Sequence, residues 1–304
     1  MLSSISPDLY SSFSFKNSLA EAMPSVPHEL INSKTLSWMY NASLDIRVPL
    51  TIGTIYAVSV HLTNSSERIK KRQPIAFAKT QLFKWLCVLH NAGLCLYSAW
   101  TFIGILNAVK HAYQLTGDSS APFSFNTLWG SFCSPDSLWV TGLNYYGYWF
   151  YLSKFYEVVD TMIILAKGKP SSMLQTYHHT GAMFSMWAGI RFASPPIWIF
   201  VVFNSLIHTI MYFYYTLTTL KIKVPKILKA SLTTAQITQI VGGGILAASH
   251  AFIYYKDHQT ETVCSCLTTQ GQFFALAVNV IYLSPLAYLF IAFWIRSYLK
   301  SKSK

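Results

Sequence analysis

The chain has 304 residues, of which 52% are hydrophobic and only 11% are charged. Soluble domains carry about 25% charged residues, so this composition excludes an ordinary soluble protein and predicts an integral membrane protein. The formal net charge of +12 would suit nucleic acid, but the basic residues collect on one side of the predicted spans. That distribution argues against nucleic acid as a partner and favours contact with anionic membrane lipid.

Seven apolar stretches are long enough to cross a bilayer, which takes roughly 20 helical residues. They lie at residues 44–63, 79–108, 138–165, 172–192, 196–219, 231–255 and 272–296. We therefore predict an all-α, polytopic membrane protein with seven transmembrane helices. Residues 1–43 form an N-terminal lumenal segment that lacks the pattern of a signal peptide. Residues 44–297 form one membrane domain, and residues 298–304 form a cytosolic tail.

The distribution of basic residues predicts how the chain is oriented. Most of them fall on one side of the spans: Arg68, Lys70, Lys71, Arg72, Lys79, Lys167, Lys169, Lys221, Lys223, Lys226, Lys229, Arg296, Lys300, Lys302 and Lys304. That side is cytosolic by the positive-inside rule, so seven spans place the N-terminus in the lumen and the C-terminus in the cytosol. The lysines of the tail match a dilysine retrieval signal, which predicts the endoplasmic reticulum membrane.

Three cysteines, Cys133, Cys264 and Cys266, fall in loops on the side opposite the basic residues. Disulfides persist in the lumen and not in the cytosol. We therefore expect Cys133 to pair with either Cys264 or Cys266. The bridge would join the loop between spans two and three to the loop between spans six and seven.

The third span carries two acidic residues, Glu157 and Asp160. Lys154, Glu157 and Thr161 share one helical face because they are spaced by three and four residues, and Asp160 lies close to that face. One interpretation is a satisfied structural ion pair at the end of a helix. The other is a functional site, because ionisable groups inside a membrane are costly and commonly mark one.

Four other spans carry polar residues at related depths. These are Asn91 in the second span, Gln175, His178 and His179 in the fourth, Asn204, His208, Tyr212 and Tyr215 in the fifth, and Thr233, Gln236 and Gln239 in the sixth. Polar side chains of this kind often only join helices together. However, at about 1.5 Å per residue the buried groups lie roughly 10–20 Å inside the cytosolic face. A shared layer predicts one buried site that opens from the cytosol.

Four motifs carry a family resemblance. They are Lys154-x-x-Glu157-x-x-Asp160-Thr161, Gln175-x-x-His178-His179, Asn204-x-x-x-His208-x-x-Met211-Tyr212-x-Tyr214-Tyr215 and Thr233-x-x-Gln236-x-x-Gln239. In this order and on these helices they resemble the ELO family of fatty-acid elongases, over nearly all of residues 44–304. The second motif departs from the family's HxxHH, since Gln175 replaces the first histidine. This variant is similar to elongases of polyunsaturated acyl chains from algae, fungi and protists.

The resemblance implies a fold and a reaction. Six helices would enclose a long acyl tunnel closed at its lumenal end, with the first helix packed outside. The enzyme would join a long-chain acyl-CoA, by preference C18 polyunsaturated, to malonyl-CoA and release CO2 and CoA. The product would be a 3-oxoacyl-CoA two carbons longer. Saturated or monounsaturated acyl chains remain the alternative substrates, and neither a metal nor a cofactor is required.

The resemblance also suggests roles for the motif residues. His178, the middle residue of the box, would carry the acyl group, with His208 as its facing partner. His179 would act as a base or orient the malonyl group, while Glu157 and Asp160 would fix imidazole tautomers. Further residues would bind substrate through hydrogen bonds or charge: Lys154, Gln175, Asn204, Tyr212, Tyr215, Gln236, Gln239 and Asn91.

Two other classes of protein fit the sequence less well. A membrane di-iron oxygenase needs several histidine clusters, whereas only His178 and His179 are clustered here. A proton-coupled transporter would also bury Glu, Asp and His, but the spans show no paired Gly/Pro interruptions of the kind found in transporter repeats.

The expected partners are acyl-CoA, malonyl-CoA, membrane lipid and the reductases and dehydratase of the elongation cycle. The sequence leaves a homodimer open.

Overall fold

A computed structural model describes residues 14–117, 123–257 and 260–299. The described chain is helical apart from loops and one two-stranded hairpin. The lysines predicted as a retrieval signal, in residues 300–304, lie outside the described residues, as do residues 1–13 of the N-terminal segment.

The helices and strands follow in chain order. They are α1 (Phe15–Ala20), α2 (His28–Ile31), α3 (Lys34–Ser43), α4 (Arg47–Asn64), α5 (Glu67–Lys70), a 3-10 turn (Phe77–Lys79), α6 (Gln81–Thr116), α7 (Phe125–Cys133), a π-helical segment (Pro135–Leu143), α8 (Asn144–Tyr156), α9 (Val158–Ala166), α10 (Met173–Arg191), α11 (Ile197–Thr219), α12 (Lys226–Ser249), a 3-10 turn (His250–Phe252), β1 (Tyr254–Lys256), β2 (Val263–Ser265), α13 (Gln270–Trp294) and a final π-helical turn (Ile295–Leu299).

Local sequence signals set the starts of the helices that matter for the site. The hydroxyls of Thr80, Ser172 and Thr269 each accept a hydrogen bond from a backbone N–H three residues later, at the first turns of α6, α10 and α13. Such capping satisfies backbone donors that a helix leaves free at its N-terminus. Because α10 starts at Met173, the residues of the histidine box fall in its first two turns.

Within the residues that the structure describes, three helices are long and apolar enough to cross a membrane: α6, α11, and α13 with its π-helical continuation. A fourth candidate is the pair α3 and α4, which is bent by 68°. Helices α10 and α12 are 19 and 24 residues long, but the polar residues predicted to form the site lower their hydropathy. The prediction of seven spans therefore stays a prediction beyond these three or four.

The third predicted span, residues 138–165, is not one helix. Its first part belongs to the π-helical segment, in which Ser137 and Gly142 have non-helical backbone angles. Between α8 and α9 the backbone hydrogen-bond pattern of the helix changes at Glu157. Its carbonyl accepts a hydrogen bond from the Asp160 N–H, only three residues later. The break lies at the acidic motif and sets the directions in which its side chains project.

The helices pack into one assembly around the polar residues. Helix α11 lies along α6, α13 contacts both α10 and α12, and α10 also packs on α4 and α8. Trp187 of α10 is 1% exposed, and its indole N–H donates to the Leu44 carbonyl at 2.8 Å. The fully buried half of α10 thus lies between the N-terminal helices and the rest of the molecule.

A disulfide joins two loops at one end of the molecule, opposite the loops that carry most of the basic residues. Cys133 at the end of α7 is bonded to Cys266, just after β2, while Cys264 is free. Asn126 of α7 also exchanges two hydrogen bonds, of 2.9 and 2.7 Å, with the backbone of Lys256 in β1. Of the two pairings left open by the sequence, the structure has the one with Cys266.

The N-terminal segment packs on the membrane domain although it carries none of the motifs. The Arg191 guanidinium at the end of α10 donates to the carbonyls of Leu19, Glu21 and Ala22. The Glu21 carboxylate accepts from the backbone N–H of Gly271, at 2.7 Å, at the first turn of α13. These contacts attach residues near α1 to both helices.

Candidate functional site

A buried ion pair lies at the centre of the site. The Lys154 ammonium donates to Glu157 Oε1 at 2.7 Å and to Asn204 Oδ1 of α11 at 3.1 Å. The Ser153 hydroxyl lies 3.2 Å from the same carboxylate oxygen. Glu157 is 2% and Lys154 3% exposed, so each charge depends on these partners for its stabilisation.

Histidines from two helices complete this cluster. His208 Nδ1 of α11 lies 3.6 Å from Glu157 Oε1, which is too long for a good hydrogen bond but brings the imidazole next to the carboxylate. The rings of His178 and His179 on α10 have centroids 5.2 Å apart. His178 lines a common cavity with Lys154 and Asn204.

Two polar atoms of this cluster have no protein partner. Among the described residues, no group forms a hydrogen bond with Glu157 Oε2 or with Nδ1 of His179. Buried polar atoms are rarely left unpaired, because each costs about 1–3 kcal/mol. Both atoms therefore have hydrogen-bonding capacity left for a water or a substrate.

The cavity lined by His178 is small. Its volume is about 50 Å³, and its other lining residues include Phe150, Phe200, Gln239, Asn279, Tyr282 and Leu286. A cavity of this volume has room for a few water molecules. The long acyl tunnel implied by the family resemblance stays a prediction.

Asp160 belongs to a second cluster. Its Oδ1 lies 2.9 Å from His90 Nε2 of α6, and its Oδ2 accepts from the Tyr212 hydroxyl at 2.7 Å. The other ring nitrogen of His90 lies 3.3 Å from the Tyr156 hydroxyl. The imidazole that Asp160 contacts is thus His90, and not one of the three histidines that the motifs assign to catalysis.

A third group forms around Thr161. Its hydroxyl lies 2.8 Å from the Tyr56 hydroxyl of α4 and accepts from the Gln175 side-chain amide at 3.1 Å. The ring of Tyr56 meets that of His179 edge-on, with centroids 6.2 Å apart. Gln175 therefore joins α10 to α9, and the hydrogen bond it makes is to protein.

Five predicted substrate-binding residues do not line the cavity: Gln175 and Tyr212, whose contacts are given above, and Asn91, Gln236 and Tyr215. The Asn91 amide donates to the Thr219 hydroxyl at 3.4 Å, and the Gln236 amide contacts the Met211 sulfur at 3.4 Å. Tyr215 is 39% exposed. Of the two glutamines in the sixth predicted span, only Gln239 reaches the cavity.

Some residues at the site were not predicted from the sequence. Asn279 and Tyr282 of α13 line the cavity; the Ser185 hydroxyl of α10 donates to Asn279 Oδ1 at 2.7 Å, and the Tyr282 hydroxyl donates to the His178 carbonyl at 3.0 Å. An amide in the middle of the most apolar helix was the signal that could have identified Asn279. Within the described residues, no three His, Cys, Asp or Glu side chains are placed to hold a metal ion.

Comparison with known proteins gives the family. Residues 41–304 match the model described as ELO, the GNS1/SUR4 family. "Fatty acid elongase 2" of Trypanosoma brucei brucei is 33% identical over 162 residues, which cover 52% of this chain and 58% of that protein. "Fatty acid elongase A" of Dictyostelium discoideum is 30% identical over 220 residues, 71% of this chain and 73% of that protein.

A human protein also matches. "Very long chain fatty acid elongase 3" is 26% identical over 205 residues, which cover 67% of this chain and 74% of that protein. The chain spans less than two thirds of the trypanosome relative's length. No solved structure matches the chain.

Proposed function

The chain belongs to the ELO (GNS1/SUR4) family, and from that premise we propose that it catalyses the condensing step of fatty-acid elongation. A long-chain acyl-CoA and malonyl-CoA would give a 3-oxoacyl-CoA two carbons longer, CO2 and CoA. The observation that carries the proposal is the buried cluster of Lys154, Glu157, Asn204 and His208, which shares its surroundings with His178.

The first half-reaction uses an imidazole as nucleophile. A neutral ring nitrogen of His178 attacks the thioester carbonyl, and the carbon–sulfur bond breaks. The proton on the other ring nitrogen passes to the sulfur, so CoA leaves as its thiol. The acyl group is then held on His178. Burial of the site would limit the access of bulk water, which could otherwise hydrolyse this intermediate.

The second half-reaction forms the new carbon–carbon bond. Malonyl-CoA loses CO2, and the electron pair of the broken bond becomes the enolate of acetyl-CoA. That carbanion attacks the acyl carbonyl, and the carbon–nitrogen bond to His178 breaks. The ring takes up the one proton that the overall reaction consumes and is neutral again. Loss of CO2 drives the step, and hydrogen-bond donors near the carbonyl would stabilise the transient oxyanions.

The neighbouring side chains would position the reacting groups. Glu157, 3.6 Å from His208 Nδ1, favours one orientation of that ring, while Lys154 balances the carboxylate charge. His179 has a free Nδ1 and would act as base or orient the malonyl group. Asp160 would act more remotely, through His90 and Tyr212.

The substrate would enter from the cytosolic face. Lysines near the cytosolic helix ends would meet the CoA phosphates as point charges. Our preferred acyl group is C18 polyunsaturated, on the strength of the Gln175 variant of the histidine box, and saturated or monounsaturated chains are the alternative. Because Gln175 contacts Thr161, any effect on acyl preference would be indirect.

We also propose that the protein lies in the endoplasmic reticulum membrane with a lumenal N-terminus. The structure supports the orientation through its disulfide, Cys133–Cys266, which lies at the end of the molecule away from the basic loops. Disulfides persist in an oxidising lumen. The reductases and dehydratase of the elongation cycle are the proposed partners.

One assay tests the condensing activity, the role of His178 and the preference for the acyl chain. Detergent-solubilised protein is given labelled malonyl-CoA with C18 polyunsaturated, monounsaturated or saturated acyl-CoA, and 3-oxoacyl product is measured. Wild type should form product with the polyunsaturated substrate preferred, and His178→Ala should form none. His111→Ala, at an exposed position of α6, is the control and should remain active.

The same assay separates the rival function. A proton-coupled transporter has no condensing activity when no sealed membrane is present. Wild-type protein that forms no labelled product in detergent, while still folded, would overturn the proposal. Near-normal turnover by His178→Ala would remove only this residue from the mechanism.

A further inference from the structure

A lateral groove of about 820 Å³ runs between α6 and the α8–α9 segment. It lies on the other face of α8 from the cavity of His178. Ser153 and Tyr156 line the groove, whereas Phe150 and Lys154 line the cavity. The groove is therefore separate from the cavity of His178, although Ser153, His90 and Tyr156 in its wall also belong to the polar clusters described above.

The walls of the groove present an apolar surface. Leu86, Leu94, Leu152 and Met162 are among its lining residues. His90 also lines it, but its two ring nitrogens already contact Asp160 and the Tyr156 hydroxyl. With these polar atoms paired inside the protein, the groove has little need of a polar ligand along its length and suits an alkyl chain.

A glycine opens the groove at its centre. Gly93 lies in the middle of α6, and a Cβ built there would meet nothing within 4 Å. Glycine inside a helix costs roughly 0.5–1 kcal/mol relative to alanine. No helix packs against this position to explain the glycine. The space that it leaves open belongs to the groove and faces the surrounding lipid.

The dimensions and charge of the groove indicate the occupant. From Phe83 to Tyr97, both in its wall, the groove extends about 21 Å at 1.5 Å per helical residue. That is comparable to one leaflet, since the whole hydrocarbon core is about 30 Å thick. At the cytosolic end, the exposed Lys167 places its ammonium 5.9 Å from the centre of the Phe83 ring.

We propose that this groove binds one acyl chain of an anionic phospholipid from the cytosolic leaflet, with the lipid phosphate beside Lys167. The cytosolic leaflet is rich in anionic lipids, and each basic residue near its surface contributes about 1 kcal/mol of attraction. The bound chain fills the space over Gly93. It also shields the His90–Tyr156 contact from bulk lipid.

Photo-crosslinking in nanodiscs tests the site. The full chain is reconstituted in phosphatidylcholine with a small fraction of phosphatidylserine that carries a diazirine in one acyl chain, and labelled peptides are mapped by mass spectrometry. Wild type should be labelled mainly within residues 83–97 and 149–163. In Gly93→Phe this labelling should fall about tenfold, as expected when roughly 1.4 kcal/mol of binding is lost.

Matched variants show whether the loss is specific. Gly242 of α12 is equally open, since a Cβ there also meets nothing within 4 Å, so Gly242→Phe should leave the labelling unchanged. Met162→Trp fills the groove from its other wall and should repeat the effect of Gly93→Phe. Labelling spread evenly over the lipid-facing helices, or unchanged in both groove variants, would overturn the site.

The headgroup is tested separately. The same diazirine on phosphatidylcholine should label the groove several-fold less, and Lys167→Gln should abolish the difference, whereas Lys169→Gln should not. Equal labelling by both lipids in wild type would overturn the anionic assignment. Displacement of the label by acyl-CoA, but not by unlabelled phosphatidylserine, would show that the occupant is substrate and would overturn the lipid assignment.

Discussion

Lys154 and Glu157 form an ion pair that is buried inside the protein. Their side chains are 4% and 2% exposed, and the Nζ–Oε1 distance is 2.7 Å. The ammonium also lies 3.9 Å from the centre of the Phe150 ring. Because neither charge reaches bulk water, each is compensated by its partner. Asn204 Oδ1 and the Phe150 ring further stabilise the ammonium, and the Ser153 hydroxyl stabilises the carboxylate.

Breaking this pair should destabilise the protein strongly. Lys154→Met leaves the Glu157 carboxylate buried without its counter-charge, a change that typically costs 3–5 kcal/mol. We expect a markedly lower unfolding temperature in detergent, measured by tryptophan fluorescence. Adding Glu157→Gln should restore much of the loss, because the uncompensated charge is then removed, although condensing activity should stay absent.

An exposed pair of the same spacing supplies the control. Lys70 and Glu67 lie 3.1 Å apart, with side chains 60% and 70% exposed. Water screens such pairs, so Lys70→Met should change the unfolding temperature little. If the two lysine substitutions shift it equally, the buried pair does not have the importance given to it here.

The residues of the site could be predicted from the sequence one by one, but their division into separate hydrogen-bonded clusters could not. Spacing on a helix predicted that Lys154 and Glu157 would meet, and they do. The same reasoning placed Asp160 close to their face. In the structure it turns to His90 of α6 instead. Spacing fixes residues relative to their own helix, whereas contacts also depend on how that helix is rotated against its neighbours.

At the scale of elements, α10 and α13 approach closely beside the histidine box. A Cβ built on Gly181 of α10 would lie 2.2 Å from the Tyr282 ring of α13. The Tyr282 hydroxyl in turn donates to the His178 carbonyl at 3.0 Å. Gly181 therefore permits the approach that brings a residue of α13 to the backbone of the proposed nucleophile.

Gly181→Ala should consequently be harmful despite its small size. The new methyl group requires the Tyr282 ring to move, which separates α13 from α10 and disturbs the position of His178. We expect lower thermal stability and a reduced kcat in the condensation assay. Gly242→Ala adds the same methyl group where a Cβ meets nothing within 4 Å. It should therefore be neutral or stabilise the protein by about 0.5–1 kcal/mol.

Comparable stability for the two alanine variants would contradict this account of the contact. A second comparison isolates the hydrogen bond, since Tyr282→Phe keeps the ring and removes only the hydroxyl. If Gly181→Ala acts by displacing the ring, its effect should exceed that of Tyr282→Phe. The reverse order would assign the sensitivity to the hydroxyl.

Helical elements were predictable where the apolar run was unbroken. The fifth predicted span, 196–219, coincides almost fully with α11, Ile197–Thr219. The stretch 138–165 reads as a similar run, yet it contains a π-helical segment and a break at Glu157. Hydropathy averages over many residues, so it does not detect local changes in hydrogen bonding such as the one that reorients Asp160.

At the scale of the whole molecule, the two opposite ends of the helical assembly differ in their chemistry. One end carries the exposed lysines of the loops, and the other carries the Cys133–Cys266 disulfide and the β1–β2 hairpin. The basic end and the disulfide were expected from the charge and cysteine distribution. The hairpin was not, because the fold was predicted to be all-α and the sixth span, 231–255, to run into what is β1. The tunnel was expected only from the family, and its width depends on packing between helices that sequence periodicity does not specify.

The free thiol of Cys264 offers a direct test of orientation. It is half-buried in β2, two residues from the disulfide, and the proposed topology places it in the lumen. In a background with Cys87→Ser and Cys95→Ser, a membrane-impermeant maleimide should label Cys264 in sealed microsomes only after the membrane is permeabilised. Lys169→Cys, with Cys264→Ser in the same background, should be labelled without permeabilisation, because residue 169 would face the cytosol. Labelling of Cys264 in intact vesicles would reverse the orientation, and with it the direction from which CoA substrates reach the buried histidines.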